Sequence, residues 1–218
     1  MKSIWKVSWF VLLAVVLSSF GCGSAPEPET KAEPEAVVEK KEEAPEPLTG
    51  TPVVVMKTTK GTVRIELYPE KAQETVVNFL KYVDAKFYDH TIFHLVIRRA
   101  MVQGGGYTWA AAGMKRKGTR EAIKNESQNG LKNVKGSVAM FRGETPDSAT
   151  SQFFVNLRNN PKLDAENRDD GFGYCVFGKV IEGMKVMEAI GKMETHEVRG
   201  KKNVPTVPIF ISRIRREG

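Results

Sequence analysis

The chain has 218 residues, a formal charge of +7 and two cysteines. That length allows one or two domains, and two cysteines exclude a disulfide framework. No Cys-x-x-Cys, His-Glu-x-x-His, calcium-loop or phosphate-loop pattern occurs, so neither a metal site nor a cofactor is expected.

Lys2 and Lys6 precede an apolar run from Trp9 to Leu17. Spanning a bilayer takes roughly 20 apolar residues, so this run is too short. A basic start, a short apolar stretch and small residues after it describe a signal peptide over residues 1–21. The sequence Ser18-Ser19-Phe20-Gly21-Cys22 is similar to a bacterial lipoprotein signal, in which Cys22 would carry the lipid. Ser19-Phe20-Gly21 also satisfies the small-x-small rule of ordinary cleavage, and lipidation is the favoured reading because a tether follows. Gly23–Gly50 holds five prolines, eight glutamates and three lysines with no aromatic residue. Such a segment buries too little surface to offset its chain entropy. As a flexible coil it spans about 30 Å. Residues 22–50 are thus expected to be a tether and residues 51–218 the folded domain. The product would be exported, lipid-anchored on the periplasmic side of a bacterial membrane.

Residues 51–218 carry +10, but the basic residues are scattered and no nucleic-acid module is visible. A solvated basic surface is expected, with no nucleic acid among the partners. Pro52–Tyr68 reads as a hairpin: Val53–Met56, a turn at Lys60-Gly61, then alternating Val63, Ile65 and Leu67. Val76, Phe79, Leu80 and Val83 fall at helical spacing, which predicts a helix over Ala72–Ala85. Short strands are predicted over Ile92–Ile97, Met101–Gln103, Gly136–Met140, Phe153–Leu157 and Tyr174–Ile181. A second helix follows over Gly183–Lys192, and a last strand over Pro208–Ile214. Many short strands with two isolated helices imply a β-barrel or sandwich with helices at its ends. Cys175, in a strand-like apolar run, reads as a core residue.

No Gly-x-Ser-x-Gly marks a nucleophile. Gln103-Gly104-Gly105-Gly106 reads as a bulge or a close backbone approach. What remains is an apolar, amide-rich series in order: Phe93-His94, Met101-x-Gln103-Gly104-Gly105, Ser151-Gln152-Phe153-Phe154, Leu163 and Tyr174-Cys175-Val176-Phe177-Gly178. Over residues 53–214 this series resembles the cyclophilin family of peptidyl-prolyl isomerases, whose central signature runs Phe-His-Arg-x-Ile-x-x-Phe-Met-x-Gln-Gly-Gly. Tyr174 resembles the bacterial branch, where tyrosine replaces a pocket histidine. The resemblance implies a mainly β fold, a closed eight-stranded antiparallel barrel capped by two α-helices. It implies non-covalent isomerisation of X-Pro bonds in proline-containing polypeptides, assisting the folding of exported chains. The molecule is expected to be a monomer.

By the same resemblance Met101, Phe154 and Leu163 line a proline pocket, Gln103 bonds the substrate backbone and Tyr174 forms a polar rim. His94, Leu95, Ala100, Phe141, Arg142 and Gln152 would border the substrate. Two positions depart from the family: its catalytic arginine aligns with Leu95 and its pocket phenylalanine with Ala100. Lys162 stands at an aromatic rim position. Loss of a comparable preorganised donor costs roughly 10²–10³ in rate. Three arginines are candidate substitutes. Arg98 has the wrong strand parity, Arg99 needs a turn to bring it back, and Arg142 would reach across from another segment. The alternative function is a catalytically weak proline-peptide-binding or chaperone module.

Overall fold

The computed structural model describes residues 50–218; the expectations for the signal peptide, Cys22 and the tether lie outside the described residues. Alternation sets the first hairpin. In β1 (Val53–Thr58) and β2 (Gly61–Leu67), Val54, Met56, Val63, Ile65 and Leu67 are fully buried, and the two strands pair antiparallel from Val53↔Glu66 to Thr58↔Gly61. The remaining strands are β3 (Thr91–Ile97), β4 (Met101–Ala110), β5 (Gly113–Arg116), β6 (Ser137–Met140), β7 (Phe153–Asn156), β8 (Val176–Glu182), β9 (Thr195–Val198), β10 (Lys201–Pro205) and β11 (Phe210–Arg216). Pairing runs β3-β11-β1-β2-β8-β6-β7-β4, and β3 also pairs with β4, which closes an antiparallel barrel of eight strands. The small β5 extends β4 outside the ring, and β9 with β10 forms a separate hairpin packed on β3.

Two helices cap the barrel. In α1 (Gln73–Asp84), the predicted stripe of Val76, Phe79, Leu80 and Val83 is buried; in α2 (Met184–Ile190), Met187 and Ile190 are. Each such side chain contributes about 1.5–3 kcal/mol relative to exposure. Phe79 sits at the centre of an aromatic group, 5.2 Å from Tyr88, 5.6 Å from Phe153 and 5.1 Å from Phe177. Ala72, at the N-cap of α1, has no side-chain acceptor for the orphan N–H groups of the first turn. The carboxylate of Glu126 takes that role from a distant loop, accepting from Thr75 N (2.8 Å), Glu74 N (3.2 Å) and the Thr75 hydroxyl (2.7 Å).

The strand predicted to end at Gln103 continues through the three glycines to Ala110. Gly105 has φ +82°, and a Cβ there would stand 2.8 Å from the Ser151 carbonyl oxygen. This is the close approach that the glycine run suggested. Strands β5, β9 and β10 carry no predicted counterpart. Gly113-Met114-Lys115-Arg116 has a single buried apolar residue, and Thr195–Val198 has none, so neither shows a hydrophobic period. Cys175 is buried in the core cluster, and burial pushes its thiol up to about 12.

Candidate functional site

Period-two alternation gives several barrel strands a second apolar side. Val102, Val138, Met140, Phe153 and Val155 belong to the interior cluster. Their neighbours Met101, Ala139 and Phe154 belong to a different cluster, which also contains Val176, Leu131, Phe141, Leu163 and Tyr174. Register builds this outer face. Leu95 is opposite Gln103, Gln103 opposite Phe154, Phe154 opposite Ala139, and Ala139 opposite Val176. The result is an apolar pocket on the outside of the barrel, with Phe154 as its floor.

Three side walls complete it. The 3₁₀ turn Pro161–Leu163 brings in Leu163, whose carbonyl accepts from Tyr174 N at 2.9 Å. The Tyr174 ring stands edge-on to Phe154 at 5.6 Å and stacks on Phe141 at 6.1 Å. Beneath this wall lies a buried polar network. Asp164 accepts from Asn133 N (2.7 Å) and Asn133 Nδ2 (2.9 Å), while Asn156 Nδ2 donates to Asn133 Oδ1 (3.0 Å) and to the Ser137 hydroxyl (2.9 Å). These groups position Leu163 and Tyr174 without touching the pocket. Nothing in the sequence marks them, because isolated asparagines read as loop.

The amide edge comes from β4 and the segment before β7. Gln103 Nε2 donates to Gln152 Oε1 at 3.0 Å, which orients the Gln103 amide. Gly106 lets Gln152 lie flat against β4: a Cβ there would meet Gln152 Cγ at 2.6 Å. A bulge at His94 shifts the parity of β3, so Phe93 and Val96 both point inward and Leu95 shares the face of Gln103. His94 is buried against Tyr107, ring centroids 4.5 Å apart, and its Nδ1 has no partner. Burial, reinforced by the Lys201 charge, lowers its pKa from 6.5 to about 4. At neutral pH it is an uncharged packing group.

The sequence-derived residues therefore divide. Met101, Phe141, Phe154, Leu163 and Tyr174 come together, with Gln103, Gln152 and Leu95 along one edge. Ala100 does not join the apolar cluster. It is buried in the β3–β4 turn, where its carbonyl accepts from Leu157 N (2.9 Å) and Asn160 Nδ2 (3.0 Å).

Among the described residues, none of the candidate arginines is held at the site by a side-chain hydrogen bond. The turn that Arg99 requires exists, at residues 98–100, but Arg99 N donates to the Gly191 carbonyl at 3.0 Å and the side chains of Arg98 and Arg99 are exposed. Arg142, expected to border the substrate, is only 2 % exposed. Its five N–H groups are all occupied: by Gly173 O (3.2 Å), Gly143 O (3.4 Å), Glu144 O (3.1 Å), Asp170 (2.6 Å) and Phe172 O (2.6 Å). A guanidinium has five donors, so none remains for a substrate. Arg142 clamps the segment behind Tyr174 instead.

Residues 53–216 match the family model described as cyclophilin type peptidyl-prolyl cis-trans isomerase/CLD. The chain is 46% identical over 158 residues to the peptidyl-prolyl cis-trans isomerase A of Dickeya dadantii, covering 72% of this chain and 80% of that protein. It is 43% identical over 163 residues to isomerase B of Escherichia coli, covering 74% of this chain and 98% of that protein. Among solved structures, a cyclophilin type isomerase of Cryptosporidium parvum, crystallised in the presence of the dipeptide Ala-Pro, superposes with a TM-score of 0.62 at 24% identity. That superposition covers 76% of this chain and 99% of that one.

Proposed function

This chain belongs to the cyclophilin-type peptidyl-prolyl cis-trans isomerases, a class of enzyme, and on that premise we propose that it binds proline-containing segments of exported polypeptides and isomerises their X-Pro bonds at the periplasmic side of a bacterial membrane. The observation that carries the reading is the outer apolar pocket of Met101, Phe154 and Leu163 beside the oriented amide of Gln103. An X-Pro bond crosses a barrier of about 18–20 kcal/mol with no covalent step. A catalyst need only hold the twisted amide better than the planar one. An apolar pocket of this kind would take the proline ring and keep water from it. The planar amide has the greater charge separation, so an apolar surround disfavours it relative to the twisted form. Gln103 supplies a fixed hydrogen-bonding edge for the flanking peptide group. No residue here has to change protonation state.

Leu95 favours a second reading for the rate. It is the cross-strand neighbour of Gln103, on the same face, where the family places a guanidinium, and Arg142 has no donor left to act there. Catalysis is then slow, and binding becomes the larger part of the activity. A protease-coupled assay on an Xaa-Pro tetrapeptide separates the two. We expect a measurable rate below that of relatives with the arginine. A background rate, with peptide still shifting the Met101 methyl resonance, would leave only the binding module.

Export and anchoring rest on the signal-like segment and the acidic tether. Metabolic labelling with a fatty-acid analogue should mark the native protein and not Cys22→Ala. An unlabelled native protein would overturn lipidation.

A further inference from the structure

Behind the Tyr174 wall a second cavity, of about 400 Å³, opens between two loops. Leu131 lines it and also belongs to the proline pocket's apolar cluster, so the two spaces adjoin. Arg168 lines the same cavity. Tyr174 has an arginine at two positions: the Arg142 guanidinium carbon is 5.6 Å from its ring centroid and that of Arg168 is 5.7 Å away.

The two arginines are in opposite states. Every donor of Arg142 is occupied. Among the described residues, the Arg168 side chain makes no hydrogen bond, and its Nε is enclosed without an acceptor. The nearby carboxylates do not supply one. Asp170 accepts from Arg142 and from Phe172 N (3.0 Å), and Glu166 pairs with Lys132. Nε itself is closed to an entering group, so the two Nη groups, unbonded and not enclosed, are the donors that an incoming acceptor would meet. A guanidinium is matched in shape and charge by a carboxylate, which it binds through two parallel N–H groups.

We propose that this cavity extends the proline pocket and takes an acidic side chain near the proline, with Arg168 as the residue that recognises it. Tyr174 is 5.6 Å from Phe154 and 5.7 Å from the Arg168 guanidinium, so the acid lies at most about three residues of extended chain from the proline. This rests on the reading of the outer pocket as the proline site.

The test is titration of isotopically labelled protein with alanine-rich peptides containing one proline. A glutamate is moved from three places before the proline to three after, with glutamine as its control. The Met101 methyl reports the proline pocket and the Arg168 Nε–H reports the cavity. In one register the glutamate peptide should bind about ten-fold more tightly than its glutamine control. Its binding should shift the Arg168 Nε–H, and the advantage should shrink as salt is raised. R168Q should abolish the preference and R168K should keep part of it. Equal binding of glutamate and glutamine peptides in every register, with Met101 still shifting, would overturn the proposal. So would a preference that survives in R168Q. If no peptide moves Met101, the proline-site reading itself falls and takes this one with it.

Discussion

The inside and the outside of the barrel wall are both apolar, and they are made from adjacent residues of the same strands. Phe153 points inward, where Phe79, Tyr88 and Phe93 surround it at 5.6, 5.5 and 6.5 Å. Phe154 points outward and is covered by Met101, Phe141, Leu163 and Tyr174, which are themselves half-buried. Inward residues meet protein on every side, so their contacts are all made on folding. The half-buried outer residues keep part of their contact capacity for something else. The difference separates stability from function at single-residue resolution.

The largest expected effect lies on the inside. Phe153→Ala should cost about 3–5 kcal/mol in urea unfolding, while the folded fraction keeps its affinity for a proline peptide. Met101→Ala, on the half-buried outer face, should cost under about 2 kcal/mol and weaken that peptide about ten-fold. Equal stability losses from the two would erase the distinction. Next comes the missing donor: Leu95→Arg should raise kcat/KM by about 10²–10³ in the protease-coupled assay. Unchanged kinetics would mean that the position across from Gln103 is not where the amide is polarised.

A third effect is pH-dependent. The folded-state pKa of His94 is lowered, from 6.5 to about 4. The unfolded chain therefore takes up this proton first as pH falls, and the folded form loses stability between pH 6.5 and about 4. The loss is about 3 kcal/mol at the bottom of that window. His94→Gln should flatten the dependence in urea titrations across it. Isomerase activity, by contrast, should show no His94 titration between pH 6.5 and 9, since the ring is already neutral there. The smallest effect is behind the wall. Arg142→Met leaves the Phe172 and Glu144 carbonyls without their donor, and should cost about 2 kcal/mol and loosen Tyr174, read as narrowed ring-proton dispersion.

Much of this was legible in the sequence, for identifiable reasons. The α1 stripe and the β1–β2 alternation have full periods, and they emerge where the periods place them. The pocket residues Met101, Phe154, Leu163 and Tyr174 sit in recognisable motifs. Leu131 carries no such signal, because its role arises from loop placement rather than from neighbours in the chain. The family resemblance places Arg142 near the site but does not give its role, which is set by four carbonyls and one carboxylate that only the fold assembles. Arg168 lies in a charged run, Glu166–Asp170, that reads as an ordinary solvated loop.

The order of strands around the ring also has a consequence for how the molecule acquires its shape. β11, the last strand in the described sequence, pairs with β1, the first, and with β3. Closure therefore joins segments separated by about the whole length of the domain, the kind of contact that slows folding. A chain emerging N-terminus first presents β1 and β3 with unpaired edges until Phe210–Arg216 arrives, and such edges are templates for wrong pairing. An isomerase of this topology is, during its own synthesis, in the same exposed condition as the chains it would serve.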